Sequence, residues 1–363
     1  MTKAAELAKM GEVLTNSQIG GRRNIVINGA MQVAQRGTSS TGVGAADGYF
    51  TCDRWGVYQG GTAGRLTMTQ DSSGPSGFAN SLKLDCTTAD TSIASGEYFA
   101  ITQRLEGQDV QQIKKGTSDA ENITVSFYVK GNASATYAVE LFDNDNTRQA
   151  SQLFSVTTDW TRVVKTFTAD TTGAFDDDNA QSLELNFWIH AGSNLTSGTL
   201  NQTFDANDNA NRAVGISSFF DSTDRTFFLT GVQLEVGSQA TPFEHRSFGE
   251  ELALCERYFQ RYGANSTYIP VATGISTSTT TSRIFLCYKT QMRATPSIVS
   301  TTSLIITDRT IYDLAVSGIA LSGSSDLGMT MTVTHAGNAT TYRPAFLSGA
   351  SSGSPQFHIK AEL

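Results

Sequence analysis

The segment GASSG at residues 349–353 has the Gly-x-Ser-x-Gly spacing that places a nucleophilic serine on a tight strand-to-helix turn in hydrolases. Here Pro355 and a strand-like run follow Ser351, and the neighbouring residues are rich in serine. We therefore interpret the match as a consequence of composition, and we expect no catalytic residue and no enzymatic activity. The glycine-rich run at residues 42–48 misses the dinucleotide-binding spacing by one residue, which predicts a turn.

Two acidic clusters offer the oxygen ligands that calcium prefers. They are FDNDN at residues 142–146 and the three aspartates at residues 176–178. Calcium takes about six to eight oxygens from carboxylates, amides and carbonyls. Neither cluster has the EF-hand spacing, and solvated turns are the more common meaning of such runs. Both interpretations stay open, and we assign no metal ligand and no cofactor.

Other metal-ligating and redox-active side chains lie far apart in the sequence. The histidines are His190, His245, His335 and His358, and the cysteines are Cys52, Cys86, Cys255 and Cys287. None has the short spacing that is typical of zinc sites. We expect free and mostly buried thiols, and a hydrogen-bonded structural role for the histidine that ends a strand-like run, His190.

Aromatic rings can stack on sugar rings. The candidates for such a platform are Trp55, Trp160, Trp188, Tyr58 and Tyr342. In a β-sandwich a tryptophan more often belongs to the core, so core packing is the first interpretation and sugar binding the alternative. A carboxylate pair for glycoside hydrolysis is defined by a separation of about 5 to 9.5 Å in space, which the sequence does not specify.

The composition of the 363 residues favours strands and turns. Charged residues make up 17%, against about 25% in an average soluble protein, and Ser, Thr, Asn and Gly take their place. The net charge of -8 argues against a nucleic-acid partner. No apolar run approaches the roughly 18 residues of a membrane span, and residues 1–13 lack the apolar centre of a signal peptide. We expect synthesis in a cytoplasm and no membrane insertion.

Strand-like runs dominate residues 22–245. Four of them are residues 123–130, 137–142, 161–167 and 183–190, each bounded by turn-forming residues. Many strands without an intervening helical pattern indicate an antiparallel jelly-roll sandwich. In its closing strand we expect one inward face that contains Phe228, Thr230, Val232, Leu234 and Val236.

The segment that follows the sandwich, residues 246–262, has the pattern of an amphipathic helix. Ser247 and Glu250 have the spacing of a capping box, and apolar residues recur at helical intervals up to Tyr262. We expect a helix of about four turns whose apolar side needs a cover. Three identical copies around an axis would provide it, so we predict a homotrimer.

Two further segments complete the predicted organisation. Residues 263–363 contain several strand-like runs and are expected to form a second β-sandwich. Residues 1–21 include a short helical pattern that is too short to be stable alone. This helix either docks on its own domain or serves as an attachment segment.

Three segments carry a resemblance to a known family. They are RRNIVINGAMQVAQRG at residues 22–37, CDRW at residues 52–55, and TGVQLEVGSQATPFEHRSFGEELALCERYFQRY at residues 230–262. In this order and wording they resemble tail-fibre-like proteins of bacteriophages, especially marine phages. In those proteins a carbohydrate-binding-module-like jelly roll closes on such a strand, and a helix leads into a variable β-domain.

The resemblance implies a virion protein that is made in the host cytoplasm. It implies a homotrimer held to another virion protein through residues 1–21. Residues 263–363 would be the tip that contacts a host surface polysaccharide or outer-membrane receptor, and no individual receptor-binding residue transfers. The alternatives are a free carbohydrate-binding module or lectin, a head fibre or capsid decoration protein, and a polysaccharide depolymerase.

Overall fold

The protein is all-β, as the composition predicts. The structure, a computed structural model, describes Lys3 and residues 22–263, 267–308, 313–351 and 355–363. It divides into two units, the first with residues 1–251 and Leu363, the second with residues 252–362. The predicted N-terminal helix and anchor at residues 1–21 lie outside the described residues, apart from Lys3. No described helix combines the length and apolar character needed to cross a membrane.

The first unit is a jelly-roll sandwich of two antiparallel sheets. Its strands are β1 (Ser39–Val43), β2 (Gly48–Tyr49), β3 (Gly56–Gly60), β4 (Arg65–Asp71), β5 (Ser81–Thr88), β6 (Tyr98–Glu106), β7 (Ile123–Gly131), β8 (Ala135–Asp143), β9 (Arg148–Val156), β10 (Thr161–Phe167), β11 (Gln181–Ala191), β12 (Asp205–Ala206) and β13 (Thr226–Val236). One sheet has the order β1-β4-β5-β13-β7-β10, and the other has the order β12-β9-β8-β11-β6-β3-β2. A short helix, α1 (Ser193–Thr196), follows β11.

Aromatic side chains fill the space between these two sheets. Phe127 packs edge-on against Phe154 and Phe187, with ring centroids 5.0 Å apart in both pairs. Trp55 contacts the same cluster through Phe187 and has no exposed surface. Full burial of one such side chain contributes about 1.5–3 kcal/mol, so these rings are a large part of what holds the two sheets together.

The closing strand β13 changes its inward face at a bulge. The pairing with β7 shifts between Thr230 and Gln233, where Gly231 has a φ of 60°. Before the bulge Phe227 and Leu229 face the core, and after it Val232 and Leu234 do. The expected inward positions of Phe228 and Thr230 are therefore wrong, whereas those after the bulge are confirmed.

The helix after the sandwich begins as expected but is shorter than expected. In α2 (Phe248–Glu256) the Glu250 amide donates to Ser247 Oγ at 3.3 Å, and the Ser247 amide donates to the Glu250 carboxylate at 3.0 Å. These bonds form the predicted capping box. The prediction of a helix over residues 246–262 is wrong, because Phe259–Tyr262 form β14, whose main chain pairs with another strand.

The apolar side of this segment is covered in one copy of the chain. Cys255, Tyr258 and Phe259 are exposed by 3% or less. Phe259 also packs on His358, with ring centroids 5.2 Å apart. The expectation that identical neighbours must cover this side is therefore wrong, and burial of this segment gives no reason for a trimer.

The second unit combines a closed barrel with a small sheet. Its strands are β14, β15 (Pro270–Ser276), β16 (Thr281–Cys287), β17 (Ser297–Thr302), β18 (Leu304–Thr307), β19 (Leu314–Ser324), β20 (Gly328–His335), β21 (Pro344–Gly349) and β22 (Gln356–Lys360). The barrel order is β15-β16-β20-β19-β18-β21, and the sheet order is β14-β22-β17. The strand content confirms the predicted β-domain, but the expected sandwich is instead a barrel, since hydrogen bonding between β15 and β21 closes the sheet on itself.

Candidate binding surfaces

The residues of the N-terminal motif are buried or half-buried, and they are hydrogen-bonded to one another. The Asn28 side-chain amide donates to the carbonyls of Val33 and Asp53 at 2.8 and 2.9 Å. The Trp55 indole N–H donates to the Asn28 carbonyl at 3.0 Å, and the Asp53 carboxylate accepts from Gln35 at 2.6 Å. These contacts join the NGAM, QRG and DRW segments into one structural unit.

The closing motif is attached to the same place. The Asn24 amide donates to Glu244 at 2.7 Å, and the Glu244 amide donates to Gln233 at 2.8 Å. The Asn28 amide donates to the Glu251 carboxylate at 2.5 Å. A Cβ atom on Gly29 would lie only 2.1 Å from the Val232 carbonyl oxygen, so the motif requires glycine there. The motif residues thus lock the chain ends of the sandwich together and leave little surface for a ligand.

The outer face of the seven-stranded sheet carries a second, smaller hydrophobic cluster. Pairing brings Tyr58, Ala100, Trp188, Ala138 and Leu153 side by side in one row across five strands. Trp188 has no exposed surface. An open sugar-binding face would expose such a ring, whereas here another segment of the chain covers it.

The cover is the segment from residue 192 to residue 217, called the covering segment below. Its Leu195 and Ala213 are buried against Trp188, and Ile216 packs at the edge of the cluster. The Ala213 amide donates to the Leu195 carbonyl at 2.9 Å, which closes the segment on itself. The outer face of this sheet is therefore largely an interior surface.

A buried ion pair holds the covering segment to the sheet. Arg212 donates from Nε and Nη2 to the two carboxylate oxygens of Glu140, both at 2.8 Å. The same carboxylate accepts from Trp188 Nε1 at 2.9 Å and from Asn186 at 3.0 Å, and Arg212 lies 4.9 Å from the Trp188 ring centroid. With its oxygens engaged in this way, Glu140 has a structural role.

The rim of this face keeps some accessible aromatic surface. Tyr58 and Tyr98 are half-buried, with ring centroids 4.8 Å apart. The Tyr98 ring lies directly over Gly60, where a Cβ atom would come within 2.3 Å of it. Burial raises the pKa of the Tyr98 phenol, so the hydroxyl stays protonated and can donate hydrogen bonds at neutral pH. We call these two residues the tyrosine rim.

The five candidate aromatic residues thus divide by exposure. Trp55 and Trp188 are fully buried, which confirms core packing for them. Trp160 is half-buried beside Phe228, with ring centroids 6.0 Å apart. Tyr342 is 79% exposed and is the strongest sugar-stacking candidate of the set.

The first acidic cluster is occupied by a lysine of the same chain. The Lys115 ammonium lies 2.5 Å from Asp143 and 3.1 Å from Asp170, and donates to the carbonyls of Thr172 and Gly173 at 2.7 and 2.8 Å. These four oxygens surround a cation that the sequence itself supplies. The ammonium occupies the position that a calcium ion at Asp143 would need.

The second acidic cluster lies on exposed turns. The Asp176 amide donates to Asp145 at 3.1 Å, and Asp178 accepts from the Ala180 amide at 2.8 Å. This is the arrangement of solvated Asp turns.

The hydrolase-like segment at residues 349–353 is described only in part. Gly349 ends β21, and residues 352–354 lie outside the described residues.

The cysteines are free and mostly buried, as expected. Cys52, Cys86 and Cys255 are buried, whereas Cys287 is exposed. Burial raises the pKa of Cys86 to about 11. The exposed thiol lies on the outer side of β16, which alternates inward and outward along the barrel wall.

The second unit presents the larger share of exposed apolar side chains. Among the described residues, eleven large hydrophobic side chains are exposed, and eight of them belong to the second unit. These eight are Tyr268, Ile269, Ile275, Phe285, Val299, Leu321, Leu327 and Tyr342. Tyr342 has a φ of 66°, in the left-handed region that a non-glycine residue seldom adopts. Sequence reasoning found only Tyr342, since the outward position of the others depends on strand register.

Comparison with known proteins places a carbohydrate-binding type of domain in the first unit. The family profile described as a carbohydrate-binding domain, CBM_4_9, matches residues 53–196, which is less than half of the chain. The match contains Glu140 and Trp188 but ends before Arg212. The chain thus carries a carbohydrate-binding-module-like domain, with a covering segment that extends beyond the matched region.

Several solved structures are similar to part of this chain at low identity. A structure described as "CBM4 structure and function" is 14% identical, with 58% of this chain and 97% of that chain covered and a TM-score of 0.30. The family 11 carbohydrate-binding module from Clostridium thermocellum is 11% identical, with 56% and 98% covered and a TM-score of 0.28. The enzymatically active domain of tailspike protein 4 from bacteriophage CBA120 is 14% identical, with 59% and 21% covered and a TM-score of 0.31. None of the curated proteins matches the chain.

Proposed function

We propose that this protein is a structural virion protein, a phage tail fibre that attaches to the host cell surface through its C-terminal barrel. The observation that carries the proposal is the exposure of aromatic side chains on that barrel. Tyr342, Phe285 and Tyr268 are 79%, 55% and 51% exposed. In the first unit the tryptophan at the centre of the outer face, Trp188, is fully buried.

The barrel surface suits a saccharide ligand. An exposed ring stacks on the apolar face of a sugar, and neighbouring hydroxyl groups hydrogen-bond its edge. On the barrel wall Phe285 pairs with Thr273 on one side and Thr330 on the other. We therefore propose a surface polysaccharide, or the glycan of an outer-membrane receptor, as the ligand, and binding without hydrolysis.

The family resemblance supports the virion assignment. The NGAM, QRG, DRW and TPFE segments resemble phage fibres in order and wording. All four belong to the hydrogen-bonded contacts that join the ends of the sandwich. They favour a fibre-type scaffold and say nothing about the ligand. By the same resemblance we propose a homotrimer held to a virion protein through residues 1–21. A monomeric mass by light scattering at micromolar concentration would contradict the trimer.

The test uses the full chain and cells of candidate hosts. Labelled wild-type protein should bind cells and should slow phage adsorption by competition. Phe285→Thr and Tyr342→Asn should each weaken cell binding at least tenfold, since Thr suits an outward strand position and Asn tolerates a positive φ. The matched control is Tyr98→Phe in the sandwich. Unchanged binding by both barrel variants would contradict the assignment of the barrel.

A second candidate function has one observation in its favour. The tyrosine rim lies within the carbohydrate-binding family match, and its two rings are half-buried. A free lectin would use this rim. On a glycan array such a lectin would lose its signal in Tyr58→Ala and keep it in Phe285→Thr.

A further inference from the structure

Three side chains far apart in sequence meet beside the start of β6. Asp90 lies after β5, Glu97 comes directly before β6, and His190 lies near the end of β11. One potential ligand atom from each lies within 4.8 Å of the other two. Asp90 and His190 are buried, and Glu97 is half-buried.

The imidazole offers an unused nitrogen to this group. His190 has no exposed surface, and its Nε2 atom is buried without a hydrogen-bond partner. That atom lies 3.9 Å from the nearer Asp90 oxygen. Leaving a buried polar atom unpaired costs about 1–3 kcal/mol, and a ligand at this point would remove the cost.

The other ring nitrogen is already engaged. His190 Nδ1 lies 2.8 Å from Ser218 Oγ, and that hydroxyl oxygen also accepts from the Phe220 amide at 3.1 Å. When Nδ1 donates to the hydroxyl oxygen, Nε2 carries a free lone pair. A hydrogen bond from the distal nitrogen is the usual way in which proteins orient a metal-ligating histidine.

The Asp90 carboxylate is also held in place. Its Oδ2 accepts from Thr62 Oγ1 at 2.7 Å and from the Ala63 amide at 2.9 Å. Glu97 Oε2 accepts from the Ala94 amide at 2.7 Å. Each carboxylate has a second oxygen, and the neighbouring residues 91–96 are exposed, which gives an ion a path from solvent.

From this geometry we propose that Asp90, Glu97 and His190 bind a divalent first-row transition metal, with zinc as the best fit. Zinc binds imidazole nitrogen and carboxylate oxygen at about 2.0–2.2 Å, so donors on one ion lie roughly 3–4 Å apart. His190 Nε2 and Asp90 Oδ2 already have this separation. Because Oδ2 accepts two hydrogen bonds, a small rotation of the carboxylate would present Oδ1 to the ion instead, and a shift of about 1 Å by the half-exposed Glu97 side chain would complete the set. Calcium fits poorly, since it prefers oxygen ligands only.

Such a site would join the loop before β6 to the end of β11. Water would complete the coordination on the exposed side. The proposed role is structural, because the ion would fix the position where the covering segment leaves the sheet. It is independent of the barrel, so failure of one proposal leaves the other intact.

The test is a zinc titration of the full-length protein after chelator treatment. Calorimetry should show one zinc ion per chain at micromolar affinity, and the melting temperature should rise with zinc and not with calcium. Glu97→Gln and Asp90→Asn should weaken zinc binding at least tenfold. Asp178→Asn, an exposed carboxylate in a turn, is the matched control and should bind as the wild type does.

A second measurement on the wild type covers variants that fail to fold. Nitrogen NMR of the His190 ring should show a zinc-dependent shift of Nε2 while Nδ1 stays protonated. Ser218→Ala should weaken binding without changing the number of ions bound. The proposal is overturned if zinc leaves the His190 resonances unchanged, or if Glu97→Gln binds zinc as tightly as the wild type.

Discussion

Removing the charge of Arg212 should release the covering segment from the seven-stranded sheet. In Arg212→Met the stem stays apolar and similar in length, but the Glu140 carboxylate loses both charge-assisted hydrogen bonds, which are 2.8 Å long. Glu140 has no exposed surface, so water cannot replace them without opening the segment.

The expected magnitude follows from this burial. At about 3–4 Å and an effective dielectric constant of about 20, the Coulomb attraction is roughly 4–6 kcal/mol. Desolvation offsets part of this when the pair forms, but removing one partner of a buried pair costs about 3–5 kcal/mol. We expect a loss of that size in Arg212→Met and in Glu140→Gln. In the double variant the loss should be about 2–3 kcal/mol smaller than the sum of the two.

Urea unfolding followed by tryptophan fluorescence provides the assay. All three tryptophans, Trp55, Trp160 and Trp188, lie in the first unit, so the signal reports that unit alone. The control is Glu121→Gln, which removes a partner of an exposed pair with Lys114 and should cost less than about 1 kcal/mol. The outer face is not closed by this ion pair if Arg212→Met lowers the free energy of unfolding by less than about 1 kcal/mol and the double variant loses the sum of the two single losses.

Three further predictions concern the close contact at Gly29, an acid-sensitive carboxylate and the thiols. Gly29→Ala should destabilise the first unit by about 3 kcal/mol in the same assay, because its Cβ would overlap the Val232 carbonyl oxygen. Burial acts to raise the pKa of Asp170, but hydrogen bonds from Arg148, the Thr172 amide and Lys115, together with the Lys115 charge, outweigh this effect and hold that pKa below its ordinary value. Its stabilisation is therefore complete above the unfolded pKa of about 3.9 and is lost as the pH falls through the folded value, so Asp170→Asn should flatten the acid side of a stability-against-pH curve. A thiol reagent should modify Cys287 in the native protein and should reach the buried thiols of Cys52, Cys86 and Cys255 only after unfolding. Rapid modification of all four cysteines in the native protein would contradict this burial.

Local sequence signals predicted part of the fold. Alternation of apolar residues predicted the strands of the sandwich, and the spacing of Ser247 and Glu250 predicted the start of α2. The end of α2 was missed, because Phe259 and Tyr262 fit both a helical stripe and a strand edge. Only pairing with β22, about one hundred residues later, selects the strand. The inversion at Gly231 was missed because a bulge depends on the neighbouring strand.

The candidate sites depended almost entirely on tertiary contacts. Trp188 has the residue type of a sugar platform, but its burial is decided by residues 192–217. Lys115 carries no sequence signal for meeting Asp143, since a loop, β7 and nearly all of β8 separate them. Asp90, Glu97 and His190 are dispersed over about one hundred residues, so no spacing rule would find them.

The central claim is that recognition belongs to the barrel and not to the closed face of the sandwich. The most direct measurement is equilibrium binding of the full-length protein to a panel of purified bacterial surface polysaccharides, with Tyr342→Asn, Phe285→Thr and Tyr58→Ala compared side by side. We predict that the two barrel variants lose at least tenfold in affinity for the polysaccharide that the wild type binds, while Tyr58→Ala keeps it. Loss of binding in Tyr58→Ala with unchanged binding in both barrel variants would contradict the claim.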